Sequence, residues 1–165
     1  MMKIILLTGE SGVGKTTISK KLCEDHQFHE VWSASTRQPR NEEDDDHFYL
    51  DKEDAWDFFL MGDIVASTIF GGELYFTNSG QFLEDMINVY VVDDLGVLDT
   101  INYWLPRGAD IYVVKIVSDR ECDRKHRDYQ ILPDWCFDLI IENDDLDETV
   151  EKIKEIVLWL IGGVY

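Results

Sequence analysis

Positive charge is scarce in this sequence. Its 165 residues carry 15 lysines and arginines against 34 aspartates and glutamates, a formal net charge of −19. A general nucleic-acid binder needs a basic face to displace counterions from phosphates, so this balance disfavours that class. It disfavours an anionic membrane surface for the same reason. Small phosphorylated ligands stay open to it, provided the few cations gather where the ligand sits. Cysteine is scarce too: Cys23, Cys122 and Cys136 are odd in number and match no zinc or disulfide spacing. That predicts reduced thiols and a cytoplasmic location. Long apolar runs are missing. The run from Met1 to Leu7 gives way at once to Thr8-Gly9-Glu10-Ser11, with no cleavage-site pattern, and Ile156 to Ile161 is too short to span a bilayer. There is no proline-rich linker, internal repeat or low-complexity tract. What is present is 45% hydrophobic and 12% aromatic, enough to fold, at a length that suits one domain with a real core.

Periodicity lays out the elements. Lys3 to Leu7 has the pattern of a strand buried on both faces, and Gly9 to Gly14 of a glycine-punctuated loop. Lys15 to Glu24 has helical spacing, with Ile18 and Leu22 on one face. A second strand is predicted near Val31 to Ser35, a turn-rich acidic loop over Asn41 to Asp46, and a helix over Glu53 to Met61. In that helix Ala55, Trp56, Phe59 and Leu60 form an apolar stripe. Val89 to Val92, Ile111 to Val117 and Phe137 to Ile141 are further apolar strands, and Leu95 to Trp104 is a helix between the first two. The last helix begins near Asp147, with acidic residues at its positive end and Val150, Ile153, Val157 and Leu160 at helical spacing. Buried strands interleaved with helices imply a parallel sheet covered on both faces. The polar and aromatic stretch from about Ser33 to Thr77 breaks that rhythm, as an insertion closing over a ligand would.

Gly9-Glu10-Ser11-Gly12-Val13-Gly14-Lys15-Thr16 fits G-x-x-x-x-G-K-[ST]. Glycines let the backbone curl so that several N–H groups point inward at phosphate oxygens. The helix that follows adds its positive dipole end. Lys15 would reach the β- and γ-phosphates, and the Thr16 hydroxyl would bind Mg²⁺. The strand before and the helix after supply the context that a chance glycine turn lacks. Gly12, Val13, Gly14, Lys15, Thr16 and Thr17 are therefore assigned to ATP, with Lys15 catalytic. Val89 to Asp93 is an apolar strand ending in an acid, and Asp93 can approach the Mg²⁺ shell through water. The competing role for Asp93 or Asp94 is to cap the next helix.

Ser33-Ala34-Ser35-Thr36-Arg37-Gln38-Pro39-Arg40 places two arginines three apart around a proline. They can form a rigid fork for one phosphate dianion, or pair with the Glu42 to Asp46 run as surface arginines.

This segment resembles the guanylate kinase pattern S-x-T-T-R-x-P-R-x-G-E. Gly62-Asp63-Ile64-Val65-Ala66 and Gly72-Glu73-Leu74-Tyr75-Phe76-Thr77 resemble G-E-F-x-E and G-x-x-Y-G-T. Val91-Val92-Asp93-Asp94-Leu95-Gly96 resembles D-I-D-x-Q-G, and Asp138 to Leu146 resembles the terminal strand and N-D-D-L segment. With the phosphate loop, these matches run colinearly over nearly the whole chain. The resemblance implies an α/β P-loop three-layer fold. A central parallel sheet of about five strands is flanked by helices, with a small acceptor-binding insertion at about 33–80 and a shortened lid at about 119–134, all in a single domain over 1–165. It implies a nucleoside monophosphate kinase that moves the γ-phosphoryl of ATP to a (deoxy)nucleoside monophosphate, with small nucleotides rather than nucleic acid or membrane as partners. Residue by residue, Arg37 and Arg40 match the acceptor-phosphate arginines. Ser33, Tyr75, Thr77 and Asp93 match acceptor contacts, Glu43 the acid beside the acceptor phosphate, and Asn143 a donor contact. The family's aromatic contact falls on Tyr49 if the spacing from Glu43 is kept, or on His47 if two residues are deleted. Tyr49 is preferred, because a phenol donates without titrating near neutrality.

Departures from the pattern matter as well. Ala66 stands where the family has a glutamate that pairs with the guanine edge, Val91 at the first aspartate of D-I-D, and Phe76 at a usual glycine. Such a pocket admits a pyrimidine or a relaxed set of deoxynucleotides beside guanine. For the lid only Arg120 to Arg127 is available. Arg124 and Arg127 share a helical face with Arg120 and are assigned as catalytic cations on the transferring phosphoryl group; the alternative is a solvated face paired with Asp119, Asp123 and Asp128. Two other functions compete: a kinase-like binding module without catalysis, and a P-loop kinase of a sugar phosphate. The five tryptophans are expected as core anchors and His26, His29 and His126 at the surface. The cations are expected to meet in one positive cleft, with the acidic excess elsewhere.

Overall fold

The structure is a computed structural model that describes residues 1–119 and 132–162. Its larger sheet is parallel throughout. Strands β1 (Lys3–Thr8), β2 (Phe28–Val31), β7 (Ile87–Val91), β8 (Asp110–Val117) and β9 (Leu139–Glu142) run in the spatial order β2-β7-β1-β8-β9. Side chains alternate across a strand. In β1, Ile5 and Leu7 therefore point to one face, under α1 (Lys15–Leu22) and α4 (Leu146–Gly162), where Ile18, Leu22, Ile153 and Val157 meet them. Ile4 and Leu6 point to the other face, toward Val97 of α3 (Asp94–Trp104). All four β1 residues are fully buried, which is why the strand is apolar without alternation.

The sheet's chain order jumps beside β1, from β7 on one side to β8 on the other, so the carboxyl end of β1 opens a crevice at a topological switch point. A second sheet stands over that crevice. It is formed by β3 (Ala34–Ser35), β4 (Phe48–Tyr49), β5 (Ile64–Phe70) and β6 (Glu73–Asn78), in the order β4-β3-β6-β5. Between β4 and β5 runs α2 (Lys52–Met61), capped by the Asp51 carboxylate, which accepts from Glu53 N and Asp54 N at 3.0 and 2.9 Å.

Local expectations needed correction in four places. The strand expected at Val31 to Ser35 is two: β2 ends at Val31 in the parallel sheet, and β3 begins at Ala34 in the other. The turn between them carries Trp32 and Ser33 out of one sheet and into the other. The first helix stops at Leu22, where Cys23 N still donates to Ser19 O and the chain then turns. On α2 Ala55 is buried and Phe59 packs edge-on to the buried Phe76, but Trp56 is 54% and Leu60 76% exposed, so only half of the apolar stripe faces a core. Trp56, Trp135 and Trp159 are likewise exposed rather than anchors, while Trp104 packs on Phe82 and Tyr103. The hairpin β5–β6, turning at Gly71 and Gly72, escaped the sequence reading because its alternation is masked by aromatic and threonine residues on both faces.

Candidate active site

The loop between β1 and α1 is shaped by contacts that leave no room for side chains. Gly9 has φ 137°, and a Cβ there would stand 2.1 Å from Ile116 O of β8. Gly14 has φ 99° and caps α1; a Cβ there would meet Asn143 Nδ2 at 2.6 Å. That same Asn143 amide donates to Val13 O at 2.8 Å, tying the loop to the segment after β9. Lys15 Nζ donates to Gly9 O at 2.8 Å and Glu10 O at 2.6 Å, so the ammonium lies across the loop's mouth. This is a glycine-shaped backbone cradle with the Lys15 ammonium at its rim, the arrangement that fits a phosphate chain.

Asp93, at the end of β7, caps α3: its Oδ1 accepts from Gly96 N at 2.8 Å. The cap uses one oxygen, and no hydrogen bond to the other is seen among the described residues. Capping and a metal-facing role are therefore compatible in one carboxylate. Asp94 is buried and structural, accepting from Thr8 Oγ1 and from Leu132 N, both at 3.0 Å.

A cleft of about 1180 Å³ runs from this loop to the second sheet. Its donor end takes Gly12 to Thr17, with Asp93 alongside; its far wall takes Ser33, Arg40, His47, Ala66 and Tyr75. A smaller pocket of about 200 Å³ adjoins the cleft, sharing Gly12, Val13, Gly14, Thr17 and Ser118 and adding Asn143 and Leu146.

Arg37, Glu43, Tyr49 and Thr77 are not part of the cleft's lining. Arg37 grips Asp44 with both guanidinium nitrogens, at 2.9 and 3.4 Å, and its Nη2 donates to Tyr49 OH at 2.8 Å. Tyr49 in turn donates to Asp44, and Arg40 N donates to it at 2.8 Å. With so many donors, Arg37 foremost, the Asp44 carboxyl is held well below the usual carboxylate range. Burial and then the bond to Asp44 push Tyr49 up to about 12. Thr77 is buried and its hydroxyl donates to Trp32 O at 3.0 Å. Glu43 is exposed, its N–H held by Asn41. Arg124 and Arg127, like Arg120, lie outside the described residues.

The cleft's charge departs from expectation. The acidic run is in the site rather than elsewhere: Asp45 and Asp46 line the cleft, Lys20 pairs with both, and Arg40 stands 3.8 Å from Asp46. The reason is register, since the loop from Arg40 to His47 folds back over α1. The sequence reading also missed Lys115, which lines the cleft from β8 and pairs with Asp134 at 2.9 Å. A lone cation inside the apolar run Ile111 to Val117 was the available signal.

No family model matches the chain. Among curated proteins it is similar to the guanylate kinase of Prochlorococcus marinus subsp. pastoris, 25% identical over 181 residues that span 95% of this chain and 97% of that one. It is similar to the guanylate kinase of Sus scrofa, 28% identical over 177 residues, 92% of this chain and 89% of that one. The human guanylate kinase is 27% identical, with 92% and 90% covered. Among solved structures, the crystal structure of guanylate kinase from Anaplasma phagocytophilum superposes with a TM-score of 0.68 at 19% identity, covering 95% of this chain and 87% of that one.

Proposed function

We propose, from the premise that this is a guanylate kinase-like chain of the P-loop kinase fold, that it is an ATP-dependent nucleoside monophosphate kinase. In this reading the γ-phosphoryl of ATP passes to a 5′-monophosphate held against the second sheet. One observation carries it above the others. A cleft of about 1180 Å³ joins a glycine cradle carrying Lys15 and Thr16 to a wall carrying Ser33, Arg40 and Tyr75. A phosphate-binding module alone has no need of both ends.

The chain's own residues have definable work. Loop amides cradle the donor phosphates, and Lys15 exchanges its two carbonyl partners for phosphate oxygens. The 200 Å³ pocket with Thr17 and Asn143 suits the donor's base. Arg40 orients the acceptor phosphate, while Arg37, bound to Asp44 and Tyr49, holds the segment that carries Arg40. Mg²⁺, when bound, neutralises charge building on the phosphoryl oxygens; the Thr16 hydroxyl and the uncommitted oxygen of Asp93 are the donor set that would hold it. Ala66 presents a methyl to the cleft, so strict guanine choice is not part of the reading. A cytoplasmic location is, supported by the free thiols of Cys23 and Cys136. No helix among the described residues is long and apolar enough to cross a membrane.

A coupled ADP-release assay over the ribo- and deoxynucleoside monophosphates tests the reading. Acceptor-dependent ADP release with at least one of them is expected. Release no faster than without acceptor, for every member of the panel, would sink it.

A further inference from the structure

His47 faces the acceptor half of the cleft with one ring nitrogen committed and the other open. Nδ1 shares a 2.7 Å hydrogen bond with Ser33 Oγ. The ring stands edge-on to Tyr75 of β6 at 5.3 Å and to Tyr49 of β4 at 6.0 Å. No hydrogen bond to Nε2 is seen among the described residues, and Trp104 Nε1 is the buried side-chain polar atom there that lacks a partner. Nε2 is therefore open to the cleft that His47 lines. The charged groups around the ring come from its own segment, Arg37, Arg40, Asp44 and Asp46. From α1, Lys20 reaches the same Asp46 at 3.8 Å. Burial and then Arg37 hold the free imidazole neutral, down to about 4.

We propose that His47 binds the acceptor: its Nε2–H donates to an anionic phosphate oxygen beside Arg40, and the imidazole takes up a proton from solvent as that anion binds. The identity of the anion as a phosphate monoester rests on the kinase reading. Ser33 makes the exchange possible. Its hydroxyl donates to the neutral Nδ1 beforehand and accepts from Nδ1–H afterwards, so one bond serves both states. An arriving dianion offsets the repulsion from Arg37 and Arg40 that keeps the ring neutral, and so favours the charged form. The ring's pKa is then higher in the complex than in the free protein. The ring's contribution to acceptor affinity is full below the free value of about 4, declines as pH rises from there, and is gone once pH has passed the complexed value. A tyrosine at this place would give no such dependence near neutrality.

The test is calorimetry on the full chain at pH 6.5, titrating GMP, AMP, CMP, UMP and dTMP in two buffers of different ionisation heat, for wild type and His47→Gln. Glutamine donates and accepts but does not titrate, and the phosphate's own proton release is common to both proteins. Expected are about tenfold weaker acceptor binding in the variant, more protons taken up per acceptor by the wild type, and equal affinity for Mg·ATP. His47→Asn replaces the variant if Mg·ATP binding is lost. Equal proton uptake, or equal acceptor affinity, overturns the proposal. Phosphoryl transfer with an unchanged acceptor KM in the variant overturns it and leaves the kinase reading standing. No binding of any of the five by wild type overturns both.

Discussion

The two ends of the cleft solve the same problem, holding phosphate, with different materials. The donor end is made of backbone. Gly9 passes against Ile116 O, Gly14 against the Asn143 amide, and Lys15 rests on loop carbonyls. The acceptor end is made of side chains that are already engaged: Arg37 with Asp44, Arg40 and Lys20 with Asp46, His47 with Ser33. A backbone cradle can hold phosphate only in one geometry and tolerates almost no change of residue. A side-chain network trades partners, so its charge, pH response and ligand choice are adjustable.

Substitutions at the two ends should separate them. The largest effect is expected at the donor end, where Lys15→Ala removes the ammonium that lies across the cradle. Turnover should fall by about 10²–10³-fold with the fold intact, and an ADP-release assay checks it. Next comes Asp44→Ala, which strands the mostly buried Arg37 guanidinium and should cost on the order of 2 kcal/mol by urea unfolding. Its pH signature has a fixed sign. The Asp44 carboxyl is depressed in the folded protein, so its contribution is present above the ordinary carboxylate value of about 4 and is lost as pH falls through and below that range. Acid titration of stability should flatten in the variant. A smaller effect is expected from Asp45→Asn with Asp46→Asn, which frees Lys20 and Arg40 from their carboxylates. Acceptor KM should fall by about two- to fivefold while the KM for ATP stays put; a rise in acceptor KM would mean those carboxylates help hold the ligand. Smallest is Trp56→Gln on the exposed face of α2, expected to change stability by no more than about 0.5 kcal/mol.

The same contrast governs what could be seen in the residues beforehand. The phosphate loop is legible because backbone geometry demands glycine at fixed spacing, and the parallel sheet because strands buried on both faces are apolar throughout, as Ile4 to Leu7 are. The acceptor end is not legible in that way. Whether Arg37 meets a ligand or Asp44 depends on how the loop from Arg40 to His47 folds over α1, and no local pattern encodes that contact. Spacing left Tyr49 and His47 as alternatives. In the fold His47 lines the cleft and Tyr49 is bound to Arg37 and Asp44. The placement of the acidic run and of the exposed Trp56 is not legible for a related reason, since composition says that a segment is charged or apolar but not what faces it.

Both ends must work together if the chain is a kinase, and the phosphorus spectrum of the reaction shows it most directly. Protein, Mg·ATP and the acceptor panel are incubated and followed by ³¹P NMR. The account predicts ADP and a second nucleoside diphosphate appearing in equal amounts. ATP loss with only inorganic phosphate as the partner product, or no reaction with any acceptor, would contradict it.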